Sequence, residues 1–335
     1  MSLSPQARWQ AYKATLPTFT RRQWIGILLA SGFVVIGFLL VVFPFLIPLG
    51  ELNSPEGFAD SNGHFVEVND QKIYYIHQSG DRDPVILIHG FHGSSVTWRD
   101  SFPEWVGYDL YALDLTGFGL SQKGFDLALS HRDYATLIVD WMAALNIPKA
   151  HLVGYDMGGN IAVHVAQRYP EQVQSLTLVS AALIYDPSAQ VPSPLVDNAI
   201  VQRWGKIFMR WILPASVEIN LFSAAYDDSI VDEALIRDYQ RTFETHDWDV
   251  SLLAMARNNH NNYLPQPLQT LDLPTLVIWG NEDRWITPSV GEKIAEDIPN
   301  AEFMVLGNAG HLPVHEVPKV FAVALDEFWQ SHTIE

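Results

Sequence analysis

From residue 64 onward the chain alternates short apolar runs with longer segments whose apolar residues recur every three or four positions. Runs such as Pro84 to Ile88, Ala150 to Val153 and Thr275 to Trp279 are too short for helices and have no polar face. That pattern fits strands buried on both sides. Strands are expected at about 64–69, 71–77, 84–88, 109–113, 150–155, 174–181, 274–279 and 301–306. Helices are expected at about 95–103, 131–145, 157–169, 288–297 and 317–331. Such alternation predicts a mostly parallel, eight-stranded sheet with helices on both faces, an α/β fold. Between Leu183 and Leu273 the strand pattern stops, helical patterns take over, and Pro187, Pro192, Pro194 and Pro214 punctuate the start. Residues 183–273 therefore read as a helical cap inserted after the sixth strand, with 64–182 and 274–335 as the core beneath it. A cap of this kind excludes water and selects substrate.

The first fifty residues follow another pattern. No charged residue occurs from Trp24 to Leu49, and Ile, Leu, Val and Phe dominate. A helix of that length reaches about 39 Å, against a hydrocarbon core of about 30 Å. A core helix of a soluble protein would show a polar face, and this one shows none. A cleaved signal would have a shorter apolar region ending at a small-x-small site, whereas this run ends at Pro44 to Gly50. Residues 24–49 therefore read as a transmembrane anchor, with Pro44 and Pro48 able to kink or end it. Residues 50–63, rich in Asn, Ser, Gly and Pro, read as a linker. The tail 1–23 carries Arg8, Lys13, Arg21 and Arg22 and no acid. Subtracting those four positive charges from the overall −18 leaves −22 on the remainder. Positive-inside bias then puts the N-terminus in the cytoplasm and the large domain on the extracytoplasmic side.

Composition removes several function classes. The chain has no cysteine, which excludes disulfides, thiolate metal sites and a cysteine nucleophile. Its acid is spread along the chain, which argues against nucleic acid as a partner. Twelve histidines raise the question of metal, yet none shows ligand spacing, so neither metal nor cofactor is expected.

The chemistry gathers at the strand ends. Gly154-Tyr155-Asp156-Met157-Gly158-Gly159 has the small-x-nucleophile-x-small spacing of a sharp strand-to-helix turn. Its apex is Asp156. A free aspartate, with a pKa of about 3.9, is ionised at neutral pH and needs no base to attack. Attack on an ester gives an anhydride-like adduct that collapses backwards. Attack on a carbon bearing a halide or an epoxide oxygen gives a stable alkyl ester for water to hydrolyse. That second step calls for a base, an orienting acid and oxyanion donors. The base candidate is His311, in Gly310-His311-Leu312-Pro313. The orienting acid is Asp283, in Gly280-Asn281-Glu282-Asp283, with Glu282 and Asp297 as competitors. The donors are the backbone N–H groups of Met157 and of Phe91, the latter in His89-Gly90-Phe91-His92-Gly93. An aspartate after a strand is otherwise a helix cap, His92 a loop histidine, and Asp114 with Gly117 and Gly119 a structural turn.

Across residues 64–335 the chain resembles the α/β-hydrolases of the epoxide hydrolase, haloalkane dehalogenase and meta-cleavage-product hydrolase group. The matching landmarks, in order, are His89-Gly90, the Asp114 to Ser121 segment, Gly154-x-Asp156-x-Gly158, Gly280-x-x-Asp283 and Gly310-His311. The resemblance implies an α/β-hydrolase fold and an Asp156–Asp283–His311 triad. Each relative differs somewhere. Met157 stands where dehalogenases usually have a tryptophan, and His92 where epoxide hydrolases usually have a proline. Outside the elbow the wording is closest to serine enzymes that cleave esters or C–C bonds. Epoxide opening needs an acid for the leaving oxygen, which similar enzymes take from cap tyrosines. Tyr185, Tyr226, Tyr239 and Tyr263 lie in the insertion, and Tyr239 and Tyr263 are the candidates. Three readings stand: an aspartate-nucleophile epoxide hydrolase or dehalogenase acting on a hydrophobic small molecule, an ester or C–C hydrolase with a variant nucleophile, and a binding protein without catalysis.

Overall fold

The computed structural model describes residues 20–186 and 193–333, with scattered positions before residue 20. It divides into two compact units, Met1–Pro48 and Leu49–Glu335.

In the first unit a helix, α1, runs Arg21–Leu46 over 26 residues, and its most apolar 18-residue stretch has a mean hydropathy of 2.8. Thr20 caps it, accepting from the Gln23 N–H while the Gln23 side chain returns to the Thr20 N–H. The helix passes through Pro44, and Phe38–Val42 forms a π-turn just before it. Proline lacks an N–H and its ring crowds the carbonyl four residues back. The wider turn relieves that crowding, so the helix continues through Pro44 to Leu46.

In the second unit eight strands form one sheet: β1 Gly63–Val68, β2 Gln71–Gln78, β3 Arg82–Ile88, β4 Tyr108–Leu113, β5 Ala150–Tyr155, β6 Val173–Val179, β7 Thr275–Gly280 and β8 Glu302–Leu306. Their order is β1-β2-β4-β3-β5-β6-β7-β8. The β1–β2 and β2–β4 pairs are antiparallel, and every later pair is parallel. Side chains alternate across the sheet. In β3, Ile86 and Ile88 enter one core while Val85 and Leu87 enter the other. Burying each such side chain stabilises by about 1.5–3 kcal/mol, so a one-residue register slip would cost the whole strand its packing.

Helices α2 His131–Ala144, α3 Met157–Arg168, α4 Ala199–Ala224, α5 Glu233–Gln240, α6 Trp248–Asn258, α7 Pro288–Asp297 and α8 Pro318–Gln330 complete the unit. Helices α2, α3 and α7 feed the first core and α8 the second. The helix expected at 95–103 is instead two 3-10 turns, Ser95–Trp98 and Phe102–Glu104. Pro103 has no N–H to donate to the Arg99 carbonyl four residues back, so the α-helical ladder is broken there.

Helices α4, α5 and α6 lie between β6 and β7, where the sequence placed its insertion. Both ends of that insertion meet on Asn160. Its Oδ1 accepts from the Ile184 N–H at 2.9 Å, and its Nδ2 donates to the Asn262 carbonyl at 2.8 Å. The segment expected as a linker is tied down. Asn53 pairs with the backbone of Glu244 and His246, and Asp60 is salt-bridged to Arg241 at 2.9 Å. The expected proline-rich positions Pro187 and Pro192 lie outside the described residues.

Candidate active site

Strand β5 ends at Tyr155 and helix α3 begins at Met157, leaving one residue for the turn. That residue, Asp156, has φ 50° and ψ −117°. Such backbone costs about 1–3 kcal/mol and persists only where its surroundings enforce it. Here three hydrogen bonds do so: its N–H donates to the Val179 carbonyl, and its carbonyl accepts from Gly159 and Ala182, each at 3.0 Å. Glycine is required where the turn closes. A Cβ on Gly158 would come within 2.2 Å of the Ile88 carbonyl, and one on Gly154 within 2.4 Å of the Gly158 carbonyl.

The Phe91 N–H donates to Asp156 Oδ2 at 2.9 Å. Met157, first residue of α3, has an N–H that no intrahelical acceptor can reach. Of the two expected oxyanion donors, the Phe91 N–H is thus bonded to the Asp156 carboxyl, and the Met157 N–H is left without an intrahelical partner.

Asp283 lies in the turn after β7 and is 4% exposed. Its Oδ1 accepts from the N–H groups of Trp285 and Ile286, each at 2.9 Å, and its Oδ2 meets His311 Nδ1 at 2.8 Å. A carboxylate only accepts, so this bond places a proton on Nδ1 and leaves Nε2 as the basic nitrogen. Glu282 instead bonds Asn281, and Asp297 bonds Lys293 and Gln269. The His311 ring is 2% exposed and packs between Tyr155 and Trp285. Its backbone N–H donates to the Ala224 carbonyl at 2.8 Å, which ties the histidine loop to the end of α4.

Two cavities meet at Asp156. One of about 390 Å³ is lined by Asp156, His311, Tyr239, Trp285, Ser216 and Asn220 among others. A second of about 870 Å³ is mostly apolar, with Met157, Leu183, Met209, Leu213 and Met255 on its walls. Of the cap tyrosines, Tyr239 lines the smaller cavity, and burial pushes its hydroxyl up to about 12. Tyr263 is 38% exposed, in the turn after α6, and lines neither cavity; Tyr185 and Tyr226 are also exposed. His92, expected as a loop residue, lines both cavities, adopts φ 59°, and has a buried Nε2 with no hydrogen-bond partner. Burial holds its ring down at about 4. Its place in the His89 to Gly93 loop was visible in the sequence, but its direction was not. Among the described residues no group of three or more His, Asp or Glu side chains is arranged to hold a metal ion.

A family model for the α/β hydrolase fold matches residues 83–216 and 221–318. The chain belongs to the α/β-hydrolase family. It is 28% identical to the uncharacterized hydrolase YugF of Bacillus subtilis, over 78% of this chain and 95% of the relative. Lipase 3 of a Moraxella species is 28% identical over 75% of this chain and 78% of its own. Among solved structures, the meta-cleavage product hydrolase CumD is 27% identical, with a TM-score of 0.66, over 80% of this chain and 98% of its own. This α/β-hydrolase is accordingly a hydrolytic enzyme, and the surroundings of Asp156 bear on which bond it cleaves.

Proposed function

We propose that this α/β-hydrolase opens an epoxide on a hydrophobic small molecule through a covalent alkyl ester on Asp156, with displacement of a halide as the lesser variant. The observation that carries the reading is the 2.9 Å bond from the Phe91 N–H to Asp156 Oδ2. One carboxylate oxygen is pinned at the oxyanion donors, which aims Oδ1 as the nucleophile. The same bond occupies a donor that an ester carbonyl would need, which weighs against direct ester cleavage.

In the first step Oδ1 bonds to carbon, and the breaking C–O bond sends its electron pair to oxygen. In the second, His311 Nε2 takes a proton from water, and the hydroxide attacks the ester carbonyl carbon of Asp156. The oxyanion that forms on Oδ2 is held by Phe91 and Met157. The alcohol leaves, taking the proton back from His311. Asp283 holds the ring and balances its charge. Tyr239 lies where it can serve the epoxide oxygen. A halide finds less support: Met157 has no side-chain donor, and the Trp285 indole N–H is spent on Ser223 at 3.1 Å. The apolar larger cavity fits a hydrophobic substrate. Residues 24–49 are proposed as a membrane anchor and residues 183–273 as the cap.

The resemblance to a lipase and a meta-cleavage product hydrolase supports a second reading, ester or C–C cleavage with His311 acting in the first step. One experiment separates the two. His311→Gln should accumulate an alkyl adduct on Asp156, seen by intact mass after incubation with an epoxide. Wild-type single turnover in heavy-oxygen water should label Asp156, because one carboxylate oxygen leaves with product. Label confined to product, with no adduct in the variant, would overturn the aspartyl-ester reading.

A further inference from the structure

A second hydrogen-bonded chain enters the smaller cavity beside the triad. The Tyr239 hydroxyl, on α5, lies 3.0 Å from His315 Nε2, and His315 Nδ1 lies 2.7 Å from Asp100 Oδ2. His315 sits four residues after His311, in the short helical turn Pro313–Glu316, and its side chain is 1% exposed. Asp100 follows the 3-10 turn after β3, and its side chain is 35% exposed. Arg99 grips Asp100 at 3.3 Å and also Asp238, the neighbour of Tyr239. Three separate parts of the chain thus build one line from solvent to cavity.

Counting protons along this line gives Tyr239 two states. Burial alone would raise the Asp100 carboxyl, but its hydrogen bond to His315, with the charges of His315 and Arg99, outweighs burial and holds it below the usual carboxylate range. An ionised Asp100 accepts only, so His315 Nδ1 carries a proton. When the ring is neutral, Nε2 has a lone pair and the Tyr239 O–H donates to it. Tyr239 then offers the cavity only lone pairs. When the ring carries a second proton, Nε2–H donates to the Tyr239 oxygen, and the hydroxyl hydrogen is free to point into the cavity. The 3.0 Å separation suits both states.

The geometry points to a proton relay, Asp100–His315–Tyr239, that turns Tyr239 into the donor for the substrate's leaving oxygen whenever His315 is doubly protonated. The inference rests on the aspartyl-ester reading above. As Asp156 Oδ1 bonds to carbon, the breaking C–O bond leaves its pair on oxygen, which takes the Tyr239 proton. Tyr239 takes the Nε2 proton, and His315 is left neutral but still bonded to Asp100. The ring recovers its proton from water at the partly exposed Asp100 end before the next turnover. Tyr239 would touch the substrate; His315 and Asp100 are positioning residues acting through it. Other groups facing this line are Thr97, placed to bond the Tyr239 hydroxyl, Arg99, Asp238 on α5 and Tyr155 on β5, with Glu316 and, against the Tyr155 ring, His311 on the histidine loop. Because His311 works in the second step, the rate of the first step isolates the relay from it.

The test is rapid-quench intact mass of adduct formation on the full-length protein in detergent, with a terminal epoxide, from pH 5.5 to 8.5. In the wild type the first step should slow as pH rises. His315→Gln and Tyr239→Phe should each slow it on the order of a hundredfold and flatten that slope. The double variant should be no slower than either single one. Asp100→Asn, at a partly exposed site, should move the slope to lower pH and serves as the second probe where His315→Gln folds poorly. A His315→Gln enzyme that keeps both rate and slope overturns the relay. So does one that loses only substrate affinity while the slope survives, since that marks a mere latch between cap and core. If no adduct forms in the wild type or in His311→Gln, the aspartyl-ester reading fails and takes the relay with it. Adduct formation that ignores His315 removes the relay alone.

Discussion

Four histidines apart from His311 bear on how the protein meets acid. Burial brings His92, His151 and His164 down to about 4, and burial together with His164 brings His131 down to about 3. His131 Nδ1 lies 2.6 Å from the Asn160 amide, the residue on which both ends of the cap insertion meet. An unfolded histidine titrates near 6.5. Between that value and about 4 the unfolded chain therefore binds more protons than the folded one, and stability falls as pH falls. The thermal midpoint should drop steadily from pH 7 to pH 5.5, a window in which ordinary carboxylates stay ionised, and His164→Gln should blunt the drop. A midpoint flat across that window would contradict the assignment. The positions of Asp156, Asp283 and His311, proposed as a triad, could be picked out in the sequence because each follows a strand whose pattern was plain. Tyr239 could be named only as one of several cap tyrosines, and Tyr263, named beside it, points elsewhere. Helix faces in the cap are fixed by packing against the core, which no local pattern records. His315 and Asp100 escaped because they are 215 residues apart and meet only in the folded chain, where Tyr239 joins them from the cap.

At the scale of elements, strand positions followed from apolar runs to within a few residues, since a strand buried on both sides leaves little freedom in its composition. The missed element was the helix at 95–103, where one proline outweighed an apolar spacing. Helix α1 is the element whose surroundings matter most. Its charge-free span and the basic tail before it make the orientation testable, and the absence of cysteine makes the test clean. Single substitutions Gln10→Cys, before the helix, and Val320→Cys, exposed on α8, should respond oppositely to a membrane-impermeant maleimide on spheroplasts. Val320→Cys should label at once, and Gln10→Cys only after permeabilisation. The reverse pattern would place the hydrolase domain in the cytoplasm.

Among the described residues the space around Asp156 falls into two unequal chambers, about 390 Å³ and 870 Å³, which share Phe91, His92 and Asp156 on their walls. An ester or C–C substrate would break at that junction into two fragments, each free to depart from its own chamber. On the proposed reading, epoxide opening would break no skeleton. The diol would be one molecule as long as the substrate and two hydroxyl groups richer in hydrogen bonds. Departure of the diol, and the cap movement it requires, should then govern steady-state turnover. Two observations would bear this out: hydrolysis in a single turnover running ahead of kcat, and competitive inhibition by the diol at concentrations near those at which substrate binds. A kcat equal to the slower chemical step, with no inhibition by the diol, would contradict it. On that reading the cost of chemistry would fall after the bond is made, in letting go.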